Sequence, residues 1–219
     1  MKVSTDACLF GGWVAQHFET TQPESILDIG TGTGLLTLML AQKLSGKIAT
    51  IEIDQGAHLQ ATDNILKTYW QERIEIIHAD ATKHKFKNQF DLIISNPPFY
   101  QHDLRSPEKV LNMARHDETL TLESLLSIVS ACLSTAGFFA VLVPYHRADY
   151  LLNAAAYFNL HPAFITHVRQ SANHKYFRSM IILKENYNAG IDAKELIIKD
   201  ANNYTPDFIA LLKDYYLNL

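Results

Sequence analysis

One ten-residue stretch constrains this chain more than any other: Ser25-Ile26-Leu27-Asp28-Ile29-Gly30-Thr31-Gly32-Thr33-Gly34. Its first half reads as a buried strand that runs straight into a glycine-rich turn. Leu35 to Ala41 then opens a helix. A strand, a tight turn and a helix N-terminus make a cofactor pocket. Glycines take φ > 0 and let a ligand approach the backbone. The unpaired N–H groups of the helix point at whatever lies in front of them. The glycines fall at 30, 32 and 34, which is not the Gly-x-Gly-x-x-Gly spacing of dinucleotide sites. Asp28 stands two positions before the first glycine. A carboxylate there is badly placed for a pyrophosphate and well placed for an ammonium. Glycines also occur in such turns for packing alone, so the assignment needs support from the rest of the chain.

That support comes from alternation. Strands are expected at Ile48 to Asp54, Ile74 to Ala79, Phe90 to Ser95 and Phe138 to Val143, the last stopped by Pro144. Helices are expected between them. Gly56 to Tyr69 carries Leu59, Ile65 and Leu66 on one face, Leu120 to Leu133 has a start signal in Thr121-x-Glu123, and Arg147 to Phe158 follows. Ahead of the first strand, Gly11-Gly12 interrupts a segment in which Trp13, Val14 and Phe18 have helical spacing. Ala163 to Arg169 and Tyr176 to Leu183 predict an antiparallel hairpin at the sheet edge. Glu195 to Lys199 reads as a short strand and Pro206 to Tyr216 as a final helix. The sum is an α/β fold of one domain over residues 1–219, its sheet mainly parallel with helices on both faces. Ligands of such sheets lie outside the carboxyl ends of the strands. Asp28 to Gly34, Glu52, Asp80 and Asn96 to Phe99 all fall at those ends.

The 219 residues carry a net charge of −4, which argues against coating nucleic acid by bulk electrostatics and leaves room for a local basic patch. Cys8 and Cys132 are isolated and suggest a reduced, cytoplasmic setting. The opening residues show no apolar signal region, and no run is long and apolar enough to span a bilayer. The histidines lack metal-ligand spacing, so no metal is expected. Nothing in the sequence fixes the oligomeric state; a monomer is favoured.

Asp28-x-Gly-x-Gly-x-Gly resembles the first motif of the S-adenosylmethionine (SAM) dependent methyltransferases. SAM carries an ammonium, a carboxylate and a sulfonium, and no phosphate. Glu52, ending the second strand, can accept both ribose hydroxyl protons of such a cofactor; Asp54 competes for the role and also suits a helix N-cap. Asp80 can accept from the adenine amino group, with Ala81 donating its N–H to a ring nitrogen. Asp80 also fits a plain turn.

Asn96-Pro97-Pro98-Phe99 is the most specific signal. Two prolines after a central strand remove backbone donors and leave carbonyl acceptors. The Asn96 side-chain oxygen and the Pro97 carbonyl can both accept from one –NH2 group. An exocyclic adenine amine is a poor nucleophile because its lone pair is delocalised into the ring. Two acceptors off the ring plane favour a tetrahedral nitrogen, and Phe99 offers a face on which the base stacks.

Together these motifs resemble the class I methyltransferases that modify amino or amide nitrogens. Within them the chain is similar to the YfiC-like family of tRNA1(Val) adenine-37 N6-methyltransferases. The resemblance rests on Met1 to Asp6 with Phe10-Gly11-Gly12-Trp13, on Asn96 to Gln101, on Ala114-Arg115-His116-Asp117-Glu118, and on Asn203 to Pro206 with Tyr215-Tyr216-Leu217. It implies a Rossmann-like seven-stranded sheet, tRNA as partner, and S-adenosylhomocysteine as product. It also implies that Lys2, Thr5 and Asp6 lie by the methionine end of the cofactor. Two features depart from the pattern. Family members usually carry an aromatic and basic stretch upstream of the motif at which this chain starts, and Phe99 stands where Tyr is frequent; either ring can stack.

Residues 161–178 contain Arg169, Lys175 and Arg178 with three histidines and no acid. Arg105, Lys109 and Arg115 lie in the loop after Phe99. Phosphate contacts from these groups would position an RNA stem-loop; solvated surface charge is the plain alternative. The rival functions are a glutamine methyltransferase of the release-factor type, a ribosomal-RNA or DNA methyltransferase, and a SAM-binding module without catalysis. The first resembles this core but carries an extra N-terminal helical domain, and a DNA enzyme needs a recognition domain. The third leaves Asn96 to Phe99 without a purpose.

Overall fold

The structure is a computed structural model and describes residues 4–98 and 120–217. Helix α1 (Thr5–Phe18) is followed by β1 (Ser25–Ile29), α2 (Leu35–Lys43), β2 (Lys47–Glu52), α3 (Gln55–Leu66), β3 (Ile74–His78) and β4 (Phe90–Ser95). Then come α4 (Leu122–Cys132), β5 (Leu133–Pro144), α5 (Ala148–Ala156), β6 (Leu160–Arg169), β7 (Tyr176–Glu185) and β8 (Asp192–Ile197). A small pair, β9 (Lys199–Asp200) and β10 (Asn203–Tyr204), leads into α6 (Pro206–Leu212).

Among the described residues eight strands form one sheet in the order β3-β2-β1-β4-β5-β7-β6-β8. From β3 to β5 every pairing is parallel; β7 is antiparallel to both of its neighbours. Alternation along the central strands feeds two cores. Ile26, Leu92, Ile94, Ala140 and Leu142 face the layer of α1, α2 and α6. Leu27, Ile93, Phe139, Val141 and Val143 face α4 and α5. The sheet is thus buried on both faces, as a parallel sheet with crossover helices requires.

Four expectations need correction. The hairpin of β6 and β7 is not the sheet edge: β8 adds a parallel strand beyond β6, making eight strands where seven were expected. Gly11-Gly12 does not interrupt α1. A Cβ on Gly11 would stand 2.7 Å from the Met39 sulfur, and one on Gly12 would stand 2.6 Å from the Leu211 carbonyl oxygen. The glycines let α1 pack close to α2 and α6, which outweighs their poor helix propensity of about 1 kcal/mol each. The buried face of α3 is Ala61 and Ile65, whereas Leu59 and Leu66 are exposed. Finally, β5 begins at Leu133 rather than Phe138 and runs through Gly137, where a Cβ would come within 2.9 Å of the Phe90 carbonyl oxygen.

Candidate active site

The register of β1 sets the site. Ile29 pairs with Ile51 of β2 and with Ser95 of β4. One residue beyond these rungs stand Gly30, Glu52 and Asn96, on adjacent strands about 4.8 Å apart. Glu52 in turn pairs with His78 of β3, which brings Asp80 and Ala81 to the same end of the sheet. The four motifs that the sequence places at carboxyl ends therefore converge. Ser95 reinforces the junction, since its fully buried Oγ donates to the Ile29 carbonyl at 2.8 Å.

The turn has the backbone that its glycines predict. Gly30, Gly32 and Gly34 have φ of 74°, 60° and 85°. The Gly30 N–H donates to the Ile51 carbonyl at 2.9 Å, and Gly34 caps α2 with no side chain over the helix end. A Cβ on Gly30 would meet no atom within 4 Å. That open side is a cradle in which a ligand can lie against the backbone.

Asp28 lies under the turn, with no exposed surface. Its Oδ2 accepts from the Thr31 and Thr37 hydroxyls, both at 2.7 Å, while Oδ1 is buried without a hydrogen-bond partner. Burial raises its pKa to about 6; the two threonines oppose the shift and the nearby Glu52 charge adds to it. Glu52 is almost fully buried, and both of its oxygens are pinned. Oε2 accepts from the Gly32 N–H at 2.8 Å and Oε1 from the Asp54 N–H at 2.9 Å. A carboxylate oxygen can accept twice, so each keeps capacity for a ligand hydroxyl. Asp54 is the N-cap of α3. Asp80 accepts from the Thr82 N–H and hydroxyl and pairs with Lys83 at 3.1 Å. These bonds outweigh its partial burial and hold its carboxyl below the usual range.

Asn96 is half-buried, Pro97 buried and Pro98 exposed. Phe99, Arg105, Lys109, Arg115 and Lys2 lie outside the described residues. Thr5 is exposed at the start of α1. Asp6 accepts from Arg178 Nε at 2.8 Å. Burial works against its ionisation, but the Ser4 hydroxyl and Arg178 keep its carboxyl low. The basic hairpin is therefore less free than residues 161–178 suggest. Arg178 is held by Asp6, and Arg169 pairs with Glu195 of β8 at 2.8 Å. Lys175 is exposed, with no ion pair among the described residues. Sequence reasoning missed Thr31, Thr37 and Ser95, whose hydroxyls tie the turn to its surroundings, and Ile53, an apolar side chain left 44% exposed beside Glu52. A hydroxyl between the glycines was the available signal for Thr31; Thr37 lies in α2 and meets Asp28 only through the fold.

The orphaned Asp28 oxygen, the open Gly30 cradle and the pinned Glu52 carboxylate suit a ligand that brings a cation and vicinal hydroxyls to this end of the sheet. Among the described residues no His, Cys, Asp or Glu cluster could hold a metal ion, and no helix is long and apolar enough to cross a membrane.

Comparison with known proteins agrees with this geometry. The fold is shared with a predicted O-methyltransferase from Agrobacterium tumefaciens, at a TM-score of 0.74 and 18% identity over 94% of this chain and 95% of that one. It is shared more distantly with the glycopeptide N-methyltransferase MtfA complexed with SAM, at a TM-score of 0.58 and 9% identity over 80% of this chain and 86% of that one. Residues 12–131 match the methyltransferase small domain family. Full-length relatives are named tRNA1(Val) (adenine(37)-N6)-methyltransferase. One from Flavobacterium johnsoniae is 36% identical over all of this chain and 94% of its own length, and one from Bacteroides thetaiotaomicron is 36% identical over all of this chain and 92% of its own. On this evidence of sequence, fold and strand-end geometry, the chain belongs to the tRNA1(Val) (adenine(37)-N6)-methyltransferase family of methyltransferase small-domain proteins.

Proposed function

We propose that the protein transfers a methyl group from SAM to the exocyclic N6 amine of an adenine in tRNA, the adenine 3′ of the anticodon in tRNA1(Val). The observation that carries this reading is the position of Asn96-Pro97, one strand away from the open glycine turn at the rung where Ser95 bonds Ile29.

The cofactor supplies an electrophilic methyl on a sulfonium. This chain's residues supply place and polarity. The Gly30–Gly34 turn leaves room for the methionine part, with the Asp28 charge beneath it and Lys2, Thr5 and Asp6 beside it. Glu52 takes the ribose hydroxyls. Asp80 and Ala81 meet the adenine edge, and Ile53 covers its face. The Asn96 oxygen and the Pro97 carbonyl accept the two amine hydrogens of the target base, which turns the nitrogen lone pair toward the methyl. Phe99 stacks on that base. The N–C bond would form as the sulfonium S–C bond breaks, leaving S-adenosylhomocysteine, and the proton shed by the methylated amine would pass to water. Orientation and preorganised acceptors account for the rate, without a strong base.

The test is single-turnover methylation of a tRNA1(Val) transcript, with S-adenosylhomocysteine binding measured in parallel. Asn96→Ala should slow transfer about 10²- to 10³-fold, as loss of one placed polar group does, and leave cofactor binding near parent. A transcript with guanine in place of the target adenine should gain no methyl. Transfer by Asn96→Ala at the parent rate would remove the amine-acceptor mechanism.

A further inference from the structure

On the far side of β4 from the cofactor turn, three rings from three strands meet at the same end of the sheet. Tyr145 follows β5, Tyr176 opens β7 and His167 lies near the end of β6. Their centroids are 5.0 Å (Tyr145 to His167), 5.1 Å (Tyr145 to Tyr176) and 5.4 Å (His167 to Tyr176) apart. Tyr145 is 40% exposed. A cavity of about 680 Å³ opens here, lined by Pro144, Tyr145, Lys175, Tyr176, Phe177 and Arg178 among others. The cluster is built from below: the His167 ring Nδ1 lies 2.9 Å from the Ser179 hydroxyl, the Tyr176 hydroxyl donates to Glu195, and Arg169 lies over the Tyr176 ring.

We infer that this shelf stacks an unpaired base of the RNA next to the target adenine, with Lys175 on the adjoining phosphate. The inference rests on the proposed function and extends it. Distance separates this base from the target. Val141 of β5 pairs with Ser95, so Tyr145 lies three residues further along than Asn96, or about 10 Å at the rise of a strand. A base whose amine touches Asn96 is therefore not the one that lies on Tyr145. Charge fits the same occupant. Glu195 is engaged by Arg169 and Tyr176 and Arg178 by Asp6, whereas Lys175 on the rim of the cavity is exposed with no ion pair among the described residues. An exposed tyrosine face beside an exposed cation matches a base beside its phosphate, the pattern by which single-stranded nucleic acid is held.

The experiment uses the anticodon stem-loop of tRNA1(Val) with 2-aminopurine beside the target adenine, on either side in turn. Binding to the parent should quench one of the two probes. Tyr145→Leu should lose that quenching and raise the Kd and KM for RNA about 5- to 150-fold, the range seen for one stacked base, with kcat and S-adenosylhomocysteine binding unchanged. Tyr145→Trp, which keeps a stacking face, should restore both. Lys175→Ala should keep the quenching and lower the salt slope by about one. A parent-like Kd and quench in Tyr145→Leu overturn the shelf while leaving the methylation reading intact. A parent that binds and quenches the probe yet transfers no methyl overturns the reaction and leaves the shelf. Failure of the parent to bind either the stem-loop or the full tRNA1(Val) transcript overturns both, whereas selective binding of a peptide at the shelf overturns the shelf alone.

Discussion

Asp28→Asn tests how the glycine turn is held. The carboxylate is wholly buried; Oδ2 takes two hydroxyl bonds and Oδ1 takes none. Burial moves its pKa from the ordinary 3.8 to about 6. Between those values the folded chain keeps a proton that the unfolded chain has released. The stabilising contribution of this group is therefore complete below pH 4 and is lost as the pH rises through 6. That rise makes the ionised, buried Asp28 cost roughly 3 kcal/mol at neutral pH. Asparagine has the same shape, and its carbonyl oxygen can accept from both threonines. Its amide nitrogen would then occupy the place of Oδ1, and a buried N–H left there without a partner costs about 1–3 kcal/mol.

The two costs nearly offset at pH 7, so the overall stability of the variant is not the informative quantity. Its pH dependence is. Urea unfolding of both proteins should be followed from pH 4 to pH 7.5. The difference in stability, variant minus parent, should rise by roughly 3 kcal/mol across pH 4 to 6 and then level off. Subtraction removes the contributions of Asp80 and Asp91, whose lowered pKa values act in the opposite direction. S-adenosylhomocysteine, which carries the cofactor's ammonium, should favour the ionised Asp28 and flatten the step. A difference that stays constant with pH would refute the buried charge and with it the role of Asp28 beneath the ammonium.

Two further outcomes follow from the packing and the site. Glu52→Ala removes a carboxylate that is pinned by two backbone donors, and should weaken S-adenosylhomocysteine about 10- to 100-fold by calorimetry, as loss of a charged hydrogen-bond acceptor does; parent-like affinity would end the ribose assignment. Gly12→Ala puts a Cβ 2.6 Å from the Leu211 carbonyl oxygen, so despite the better helix propensity it should lose about 1–3 kcal/mol and melt several degrees lower; a higher melting point would show that α6 yields freely.

The parts of the site that the sequence makes legible are those whose chemistry is local. Gly30, Gly32 and Gly34 announce positive φ because few other residues adopt it, and Pro97-Pro98 announces carbonyl acceptors without backbone donors. Asp54 as an N-cap and Thr121 as the start of α4 are of the same kind, and both cap as read. What stayed hidden depends on distant partners. Residues 161–178 look uniformly basic, yet Arg178 meets Asp6 from the other end of the chain and Arg169 meets Glu195 from the next strand. Gly11-Gly12 reads as a break because propensity is local, whereas the close approach of α2 and α6 is not. Glu195 to Lys199 reads as a short strand, yet β8 starts three residues earlier at Asp192, with four exposed residues in a row and no alternation; that start and its place beyond β6 depend on the open ladder that β6 presents.

The strand order explains why the site lies where it does. From β1 the chain moves outward through β2 to β3, then returns across the sheet to lay β4 on the other flank of β1. The chain leaves β1 toward β2 and β4 toward β5, and sheets of this kind bind ligands at the carboxyl ends beside such a reversal. Gly30 and Asn96 stand at those ends. The acids suited to a cofactor, Glu52 and Asp80, belong to the β2–β3 half. The aromatic shelf, Tyr145 with Tyr176 and His167, belongs to the β5–β7–β6 half. On the proposed reading, the β1–β4 rung lies beneath the place where the cofactor's methyl and the target amine meet. Ser95 sits in that rung, and its bond to the Ile29 carbonyl adds a side-chain tie to the ladder hydrogen bonds. The spacing between turn and acceptor is consequently set by a fully buried rung of the sheet, where neither ligand's arrival should alter it.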